Sequence, residues 1–224
     1  MLQTLWKDSK RRIRHWFWSQ RLKKLGQNTD ISLEARVQSP ENVEIGNECH
    51  IGSGAYLFGN SSEPSCLQIG DRTVIREGAY LAPTDGSISI GNDSFVGPYT
   101  VIYGNGHVVI GDQVLIAARC SIASINHNFD GQHKAIAEQG LDCRPVVLED
   151  NVWLGMNVTI VPGVRVGSGS VIAAGTTVYK DIPPNSFVRG YPLLIEPRER
   201  EHRTPSSIPS MSSNNPSLQE SHYA

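Results

Sequence analysis

Between residues 45 and 178 an aliphatic residue returns at every sixth position, and it returns in threes. IGDQVL, IAARCS and IASINH follow one another from residue 110, and LEDNVW, LGMNVT and IVPGVR do so from residue 148. The full register is Ile45, Ile51, Leu57; Ile69, Ile75, Leu81; Ile90, Val96, Ile102; Ile110, Ile116, Ile122; Leu148, Leu154, Ile160; and Val166, Ile172, Val178. Its breaks fall between triplets and never inside one. Self-similarity at a short fixed period marks a stacked repeat architecture. Six residues of extended chain reach about 20 Å, so three segments close a triangle and about 18 residues make one coil. The residue that opens each hexad points inward and stacks on its equivalents. The fifth also points inward and must be small, as Ala55, Thr73, Ala79, Ser94, Thr100 and Ser170 are. Glycine often stands second, near the corner, as at Gly46, Gly70, Gly91 and Gly111. A β-sandwich alternates with period two and sustains no period of six. The expectation is an all-β solenoid of about six triangular coils, with breaks between triplets as loops leaving a corner.

The 224-residue chain has a formal net charge of −2, which argues against a nucleic-acid partner. That charge is uneven. Residues 1–25 hold eight Lys/Arg against one Asp, a net of +7, and the remainder holds 12 against 21, a net of −9. A basic segment of this kind points to a partner of its own, such as an anionic membrane surface. In MLQTLWKDSKRRIRHWFWSQRLKKL, helical spacing gathers Leu2, Leu5, Trp6, Ile13, Trp16, Phe17 and Leu25 near one face. Lys10, Arg11, Arg14, Arg21 and Lys24 fall on or beside the opposite one. Residues 1–27 are expected to form a basic amphipathic helix that caps the first coil, lies on a membrane, or does both. The solenoid is expected over 28–196, and the Ser-, Pro- and Asn-rich stretch 197–224, with little to bury, is expected to be disordered.

No apolar run approaches the roughly 20 residues of a spanning helix, and the N-terminus lacks a signal peptide's uninterrupted apolar core and cleavage site. A soluble or peripheral protein of the cytoplasm, membrane-associated if the helix binds lipid, is expected. Of the four cysteines, Cys49 and Cys120 fall at the small fifth position. With no CxxC pair and no zinc spacing, the set reads as buried apolar residues of a reducing compartment.

The hexads stop at SINHNFDG, residues 124–131, and resume 20 residues after His127. An insertion over 128–147 would arch from one corner and cover a neighbouring surface. His127, sixth in its hexad, would stand at the root, held by the scaffold as a general base must be. Asn126, Phe129 and Asp130 lie beside it as candidates to orient the ring. Asn105 and His107, in YGNGHVVIG, form a second polar cluster.

The stretches GNGHVVIGDQVLIAARCSIASINHNFD, AIAEQG and PVVLEDNVWLGMNVTIVPGVRVGSGSVIAAGTTVYKDIPPNSFVRGYP resemble the sugar O-acetyltransferases of the hexapeptide-repeat family. These are the galactoside and maltose acetyltransferases and, nearer in NHNFD, the acyltransferases of surface-polysaccharide biosynthesis. The resemblance covers residues 40–192 and is specific from 104 to 192. It implies a left-handed parallel β-helix, a hand that the usual right-handed crossover rule would not give. It also implies a homotrimer with its site between adjacent subunits, acetyl-CoA as acyl donor and no metal. His127 corresponds to the catalytic base, which takes the proton of a substrate hydroxyl as that oxygen attacks the thioester. An oxyanion would be met by a backbone N–H.

Trp153, in NVWLG, matches a tryptophan that packs beside acetyl-CoA; its other reading is an outer-face aromatic covered by the insertion. Ala173 and Ala174 would let the pantetheine arm approach the backbone. Lys180, in YKD, matches a lysine facing the cofactor's phosphates, or is a solvated charge. Asn105, Asn126 and Asp130 are the candidate acceptor contacts. One departure stands out. In GYPLLIEPRER, Leu194 occupies the place of a basic residue near the nucleotide end, and Arg189 or Arg198 are the candidates to replace it. N-acetylation of an amino sugar or amino acid is the alternative chemistry, and a catalytically silent scaffold the alternative class. A zinc-dependent carbonic anhydrase of the same fold is excluded by the spacing of His107, His127 and His133.

Overall fold

The computed structural model describes residues 12–59, 66–129, 134–190 and 194–197. Their strands stack into three parallel sheets, the faces of a triangular prism, in the left-handed parallel β-helix expected. The three hexads of a triplet separate onto the three faces. Face one carries the first hexads, with Ile45, Ile69, Ile90 and Ile110 in register. Face two carries the second, with Ile51, Ile75, Val96 and Ile116 in line. Face three carries the third, with Leu57, Leu81, Ile102, Ile122 and Ile160 in line. Every residue of the six triplets is buried in a single core. The strands of the hexads are only two or three residues long because each hexad gives the rest to a corner.

The prism has roughly eight coils rather than six. An additional first coil is opened by Leu25, Ile31 and Val37, which pair with Ile45, Ile51 and Leu57. These residues keep the six-residue spacing, but the basic context of Leu25 favours reading it as the end of a helix. A partial eighth coil follows Val178. Pro183 and Pro184 interrupt the count, yet Ile182 bridges to Val166 and Val188 pairs with Ile172. The chain then doubles back, and Leu194–Pro197 runs antiparallel to Ser186–Arg189 at the end of face two.

Two hydrogen-bond ladders fix one coil on the next. At the corner between faces one and two, the side-chain oxygens of Asn47, Asp71, Asn92, Asp112 and Asp150 each accept a backbone N–H from the preceding coil, at 2.6–2.8 Å. The backbone N–H and the side-chain amide of Asn47, both donating to Asp71, hold its carboxyl below the usual carboxylate range. Inside, the small fifth residues donate to the coil that follows: Thr73 to Gly91 O (2.7 Å), Ser94 to Gly111 O (3.0 Å), Thr100 to Ala117 O (3.1 Å) and Ser170 to Pro183 O (2.9 Å). Cys49 and Cys120 occupy the same inner position, and burial pushes both thiols up. Thr176 breaks the rule, its hydroxyl buried without a partner among the described residues. The carbonyl it would reach belongs to the eighth coil, which turns back at Arg189 instead of completing that corner.

Residues 12–19 form a helix lying on the first coil. Trp18 and Leu22 are buried and join the core at its first-coil end, as a capping segment would. Arg14 reaches Asp30 Oδ1 from both Nε (3.1 Å) and Nη2 (2.6 Å), and His15 Nδ1 donates to Thr29 O (3.2 Å). The helix ends at Ser19, short of the boundary at 27 expected from the sequence, because Lys24 and Leu25 already pair with the second coil. The stripe of Ile13, Trp16 and Phe17 does not do the capping and faces outward. Residues 1–11 and 198–224, the latter holding nearly all of the expected disordered tail, lie outside the described residues.

Candidate active site

The insertion leaves the corner between faces three and one after Ser121–Ala123 and returns to face one at Val146–Leu148. It is a two-stranded antiparallel arm rather than a plain loop. Ile125 pairs with Cys143, Asn126 with Asp142 and His127 with Leu141. The arm therefore starts at residue 125, three residues before the expected boundary, and a 3-10 turn, Ile136–Glu138, lies on its return limb.

Ser124 clamps the root. Its buried hydroxyl donates to Tyr103 O (2.9 Å) and accepts the N–H of Gly106 (2.8 Å), while its carbonyl accepts the N–H of Arg144 (2.9 Å). Val146 N–H donates to His107 O at 3.0 Å, closing the return limb on the same corner. The packing leaves no room: a Cβ on Gly106 would stand 2.6 Å from Arg144 N. Ser124 and Arg144 went unrecognised in the sequence, since their roles depend on a turn 18 or more residues upstream. The one signal was that the hexad count fails soon after Ser124, once His127 is passed.

His127 stands exposed on this arm, three residues from the clamped corner. Side chains alternate along a strand, so His127 shares one side of the ribbon with Ile125, Leu141 and Cys143. Asn126 and Asp142 occupy the other. Asn126 therefore does not orient the imidazole, as the sequence had suggested; its Oδ1 instead accepts the backbone N–H of His127 (2.9 Å). Asp130 and His133 lie outside the described residues. Asn105 and His107 sit on the corner that carries the arm, one coil earlier. His107 adopts a left-handed backbone (φ 70°) and its Nδ1 lies 2.9 Å from Ser87 Oγ. Lys180 is exposed on this corner too, two coils beyond the arm.

The remaining candidates lie elsewhere. Trp153 projects from face two, in register with Leu115 and Val171, and is 52% exposed. The arm leaves the corner opposite face two, so in one chain the insertion does not cover it. Ala173 and Ala174 follow at the corner between faces two and three. There Gly175 has open space where a Cβ would stand, and its N–H donates to Met156 O (2.8 Å). Leu115, Trp153 and Met156 are each about half exposed, and with Ala174 and Gly175 they make an apolar ledge on small-residue backbone. Such a ledge fits a thioester-bearing pantetheine chain, held by an aromatic face and close backbone approach. Met156 was not singled out from the sequence. At the end of face two, the register sets Arg189 directly opposite Leu194, so a cation stands beside the position where the sequence lacks one.

A prism with faces about 20 Å wide is roughly 17 Å from a corner to the opposite face. His127, three residues beyond Ser124, extends no more than about 10 Å from its corner. The structure thus gathers His127, Asn105 and His107 at one corner and sets Trp153, Ala173 and Ala174 apart from them.

A family model for the bacterial transferase hexapeptide (six repeats) matches residues 145–180. The chain is 35% identical over 152 residues to the galactoside O-acetyltransferase of Escherichia coli, covering 62% of this chain and 73% of that protein. It is 40% identical over 122 residues to a putative acetyltransferase of Saccharomyces cerevisiae, covering 54% of this chain. It spans 61% of that yeast protein's length and 40% of a putative acetyltransferase of Schizosaccharomyces pombe. Among solved structures, AntD, an N-acyltransferase from Bacillus cereus, superimposes with a TM-score of 0.61 at 20% identity, over 83% of this chain and 88% of that one. That likeness is one of fold. With its stacked hexads, its clamped arm and a galactoside O-acetyltransferase matched over nearly three quarters of that relative's length, the chain belongs to the hexapeptide-repeat acyltransferases.

Proposed function

We propose that the protein transfers an acetyl group from acetyl-CoA to a hydroxyl of a sugar or glycan precursor, with His127 as general base. The observation that carries this reading is the arm: a rigid corner holds Ser124, and the arm presents an exposed imidazole from the corner that also carries Asn105. Bound acetyl-CoA supplies an acyl group already activated as a thioester. The neutral imidazole of His127 takes the acceptor's hydroxyl proton as the oxygen–carbon bond forms, then returns it to the departing sulfur. Asn105 is placed to contact the acceptor, and the ledge around Trp153 to hold the donor. A hydroxyl acceptor is supported by the name of the Escherichia coli relative, a galactoside O-acetyltransferase. Because His127 and Trp153 lie on opposite sides of one prism, the reading places the site between adjacent subunits of a homotrimer.

The test is calorimetric titration with acetyl-CoA, and with coenzyme A as control, on wild type, Trp153→Ala and His127→Ala. Saturable binding that weakens about tenfold in Trp153→Ala and is kept in His127→Ala is expected, about the loss from removing one buried aromatic contact. Transfer to galactosides is expected to fall at least a hundredfold in His127→Ala, the usual range for a missing general base. Absence of binding at millimolar acetyl-CoA defeats the proposal.

A further inference from the structure

The N-terminal helix turns its docked side to the solenoid and leaves an apolar side outward. Ile13, Trp16 and Phe17 share one stripe and are 66%, 65% and 41% exposed. The stripe is held in place, since the Phe17 ring meets the buried Trp18 edge-to-face at 5.2 Å. Cations rim it. The Arg21 guanidinium sits 3.5 Å over the Phe17 ring, and Arg12 is exposed and lines the same cleft as Trp16.

Beside the stripe, between the helix and the first coil, opens a cleft of about 660 Å³ lined by Arg12, His15, Trp16, Ser19, Gln27 and Asn28. Among the described residues no Asp or Glu lines it, unlike the cleft of Arg14, Asp30, Glu34 and Glu77. The carbonyl of Thr29 can only accept, so His15 Nδ1 donates to it and the ring is held against the first coil. An aromatic–aliphatic stripe flanked by Arg12 and Arg21 matches a bilayer interface, where tryptophan lies at the depth of the headgroups and arginines meet their phosphates.

We infer that this end of the molecule docks on an anionic phospholipid surface. Ile13, Trp16 and Phe17 enter the acyl boundary while Arg12 and Arg21 meet headgroup phosphates. The basic end, net +7 over residues 1–25, is drawn to such a surface, whereas the remaining net of −9 is repelled by it. The solenoid would then stand off the bilayer on its capped end, its arm and ledge in water.

The full chain is sedimented with vesicles of phosphatidylcholine alone and of phosphatidylcholine with about 30% phosphatidylglycerol, which gives an anionic surface. Binding is expected only to the anionic vesicles, weakened about tenfold in Trp16→Ala and about fivefold in Arg12→Gln, and lost as salt rises. Trp16 and Arg12 are both exposed, so these variants should melt with wild type, which separates lipid contact from misfolding. Equal binding to both vesicle types overturns the inference, as does unchanged binding in both variants. Displacement by millimolar glycerol phosphate would overturn it in favour of a soluble-anion site. Loss of self-association in Trp16→Ala by sedimentation equilibrium, without loss of vesicle binding, would make the stripe an interface between copies.

Discussion

The arm root is packed so tightly that one methyl group tests whether it positions His127. A Cβ on Gly106 would lie 2.5 Å from Ser124 O, 2.6 Å from Arg144 N and 2.9 Å from the carbonyl carbon of Cys143. Ordinary van der Waals contact begins near 3.4 Å, so in Gly106→Ala the root must retreat by close to 1 Å. All three atoms are backbone and cannot swing aside. The retreat lengthens the bonds from Gly106 N to Ser124 Oγ and from Arg144 N to Ser124 O. Overpacking of this kind costs about 1–3 kcal/mol. The described hydrogen bonds between arm and prism lie at its two ends, so the cost falls on opening the arm and not on the coils. Hydrogen exchange then reads it directly: the Asn128 and Arg144 amides, bonded to Gly140 O and Ser124 O, should exchange about 5- to 150-fold faster. The Gly155 amide, bonded to Ile172 O on face two, should not change. A misplacement near 1 Å also costs about a hundredfold in transfer, with acetyl-CoA affinity kept because the ledge is remote. Unaltered arm exchange, or equal loosening of arm and coils, would refute the clamp.

Asp71→Asn keeps the corner acceptor, since Asn47 and Asn92 already fill that role in the same ladder. The folded carboxyl is held low, so its contribution is present above the unfolded value and lost as pH falls through the folded one. The variant should lose less stability than wild type between pH 7 and pH 3, values spanning the ordinary carboxylate range, in urea titrations at each pH. Thr176→Val removes a buried hydroxyl with no partner and should be neutral or stabilising by up to about 1 kcal/mol, whereas Thr100→Val breaks bonds to Ala117 O and Cys120 N and should cost about 1–3 kcal/mol in thermal unfolding.

What the sequence disclosed follows from how each feature is built. The hexads were legible because stacking repeats one inner environment, so Ile45, Ile69, Ile90 and Ile110 must all be aliphatic for the same reason. The first coil obeys the same rule at Leu25, Ile31 and Val37, but Lys23 and Lys24 beside it imitate a basic helix end. The capping side chains were missed because Trp18 and Leu22 lie off the stripe that looked apolar; Trp16 and Phe17 were the more conspicuous pair and face outward. His127 was singled out as a candidate through its family motif and the failing count. The clamp that holds it was not, because Gly106 and Ser124 meet only once face three is formed. Nor could sequence separate His127 from Trp153. They are 26 positions apart along the chain, yet a corner and the opposite face divide them.

That division makes the subunit arrangement testable without a structure of the assembly. If His127 and Trp153 serve one site, they come from different chains. A chain carrying His127→Ala still offers a sound ledge, and a chain carrying Trp153→Ala still offers a sound arm. In a closed ring of like contacts, co-expressed in equal amounts, a functional site needs a sound arm from one chain and a sound ledge from its neighbour. Random assembly supplies that pairing at about one contact in four. Transfer, measured at acetyl-CoA well below saturation, should therefore approach about a quarter of wild type and exceed the mean of the two variants assayed apart. Were both residues drawn from one chain, no mixture could contain a repaired site and activity would equal that mean. The latter result would require the donor to reach around a corner of a single prism, and the ledge at Trp153 would then have to be abandoned as its seat.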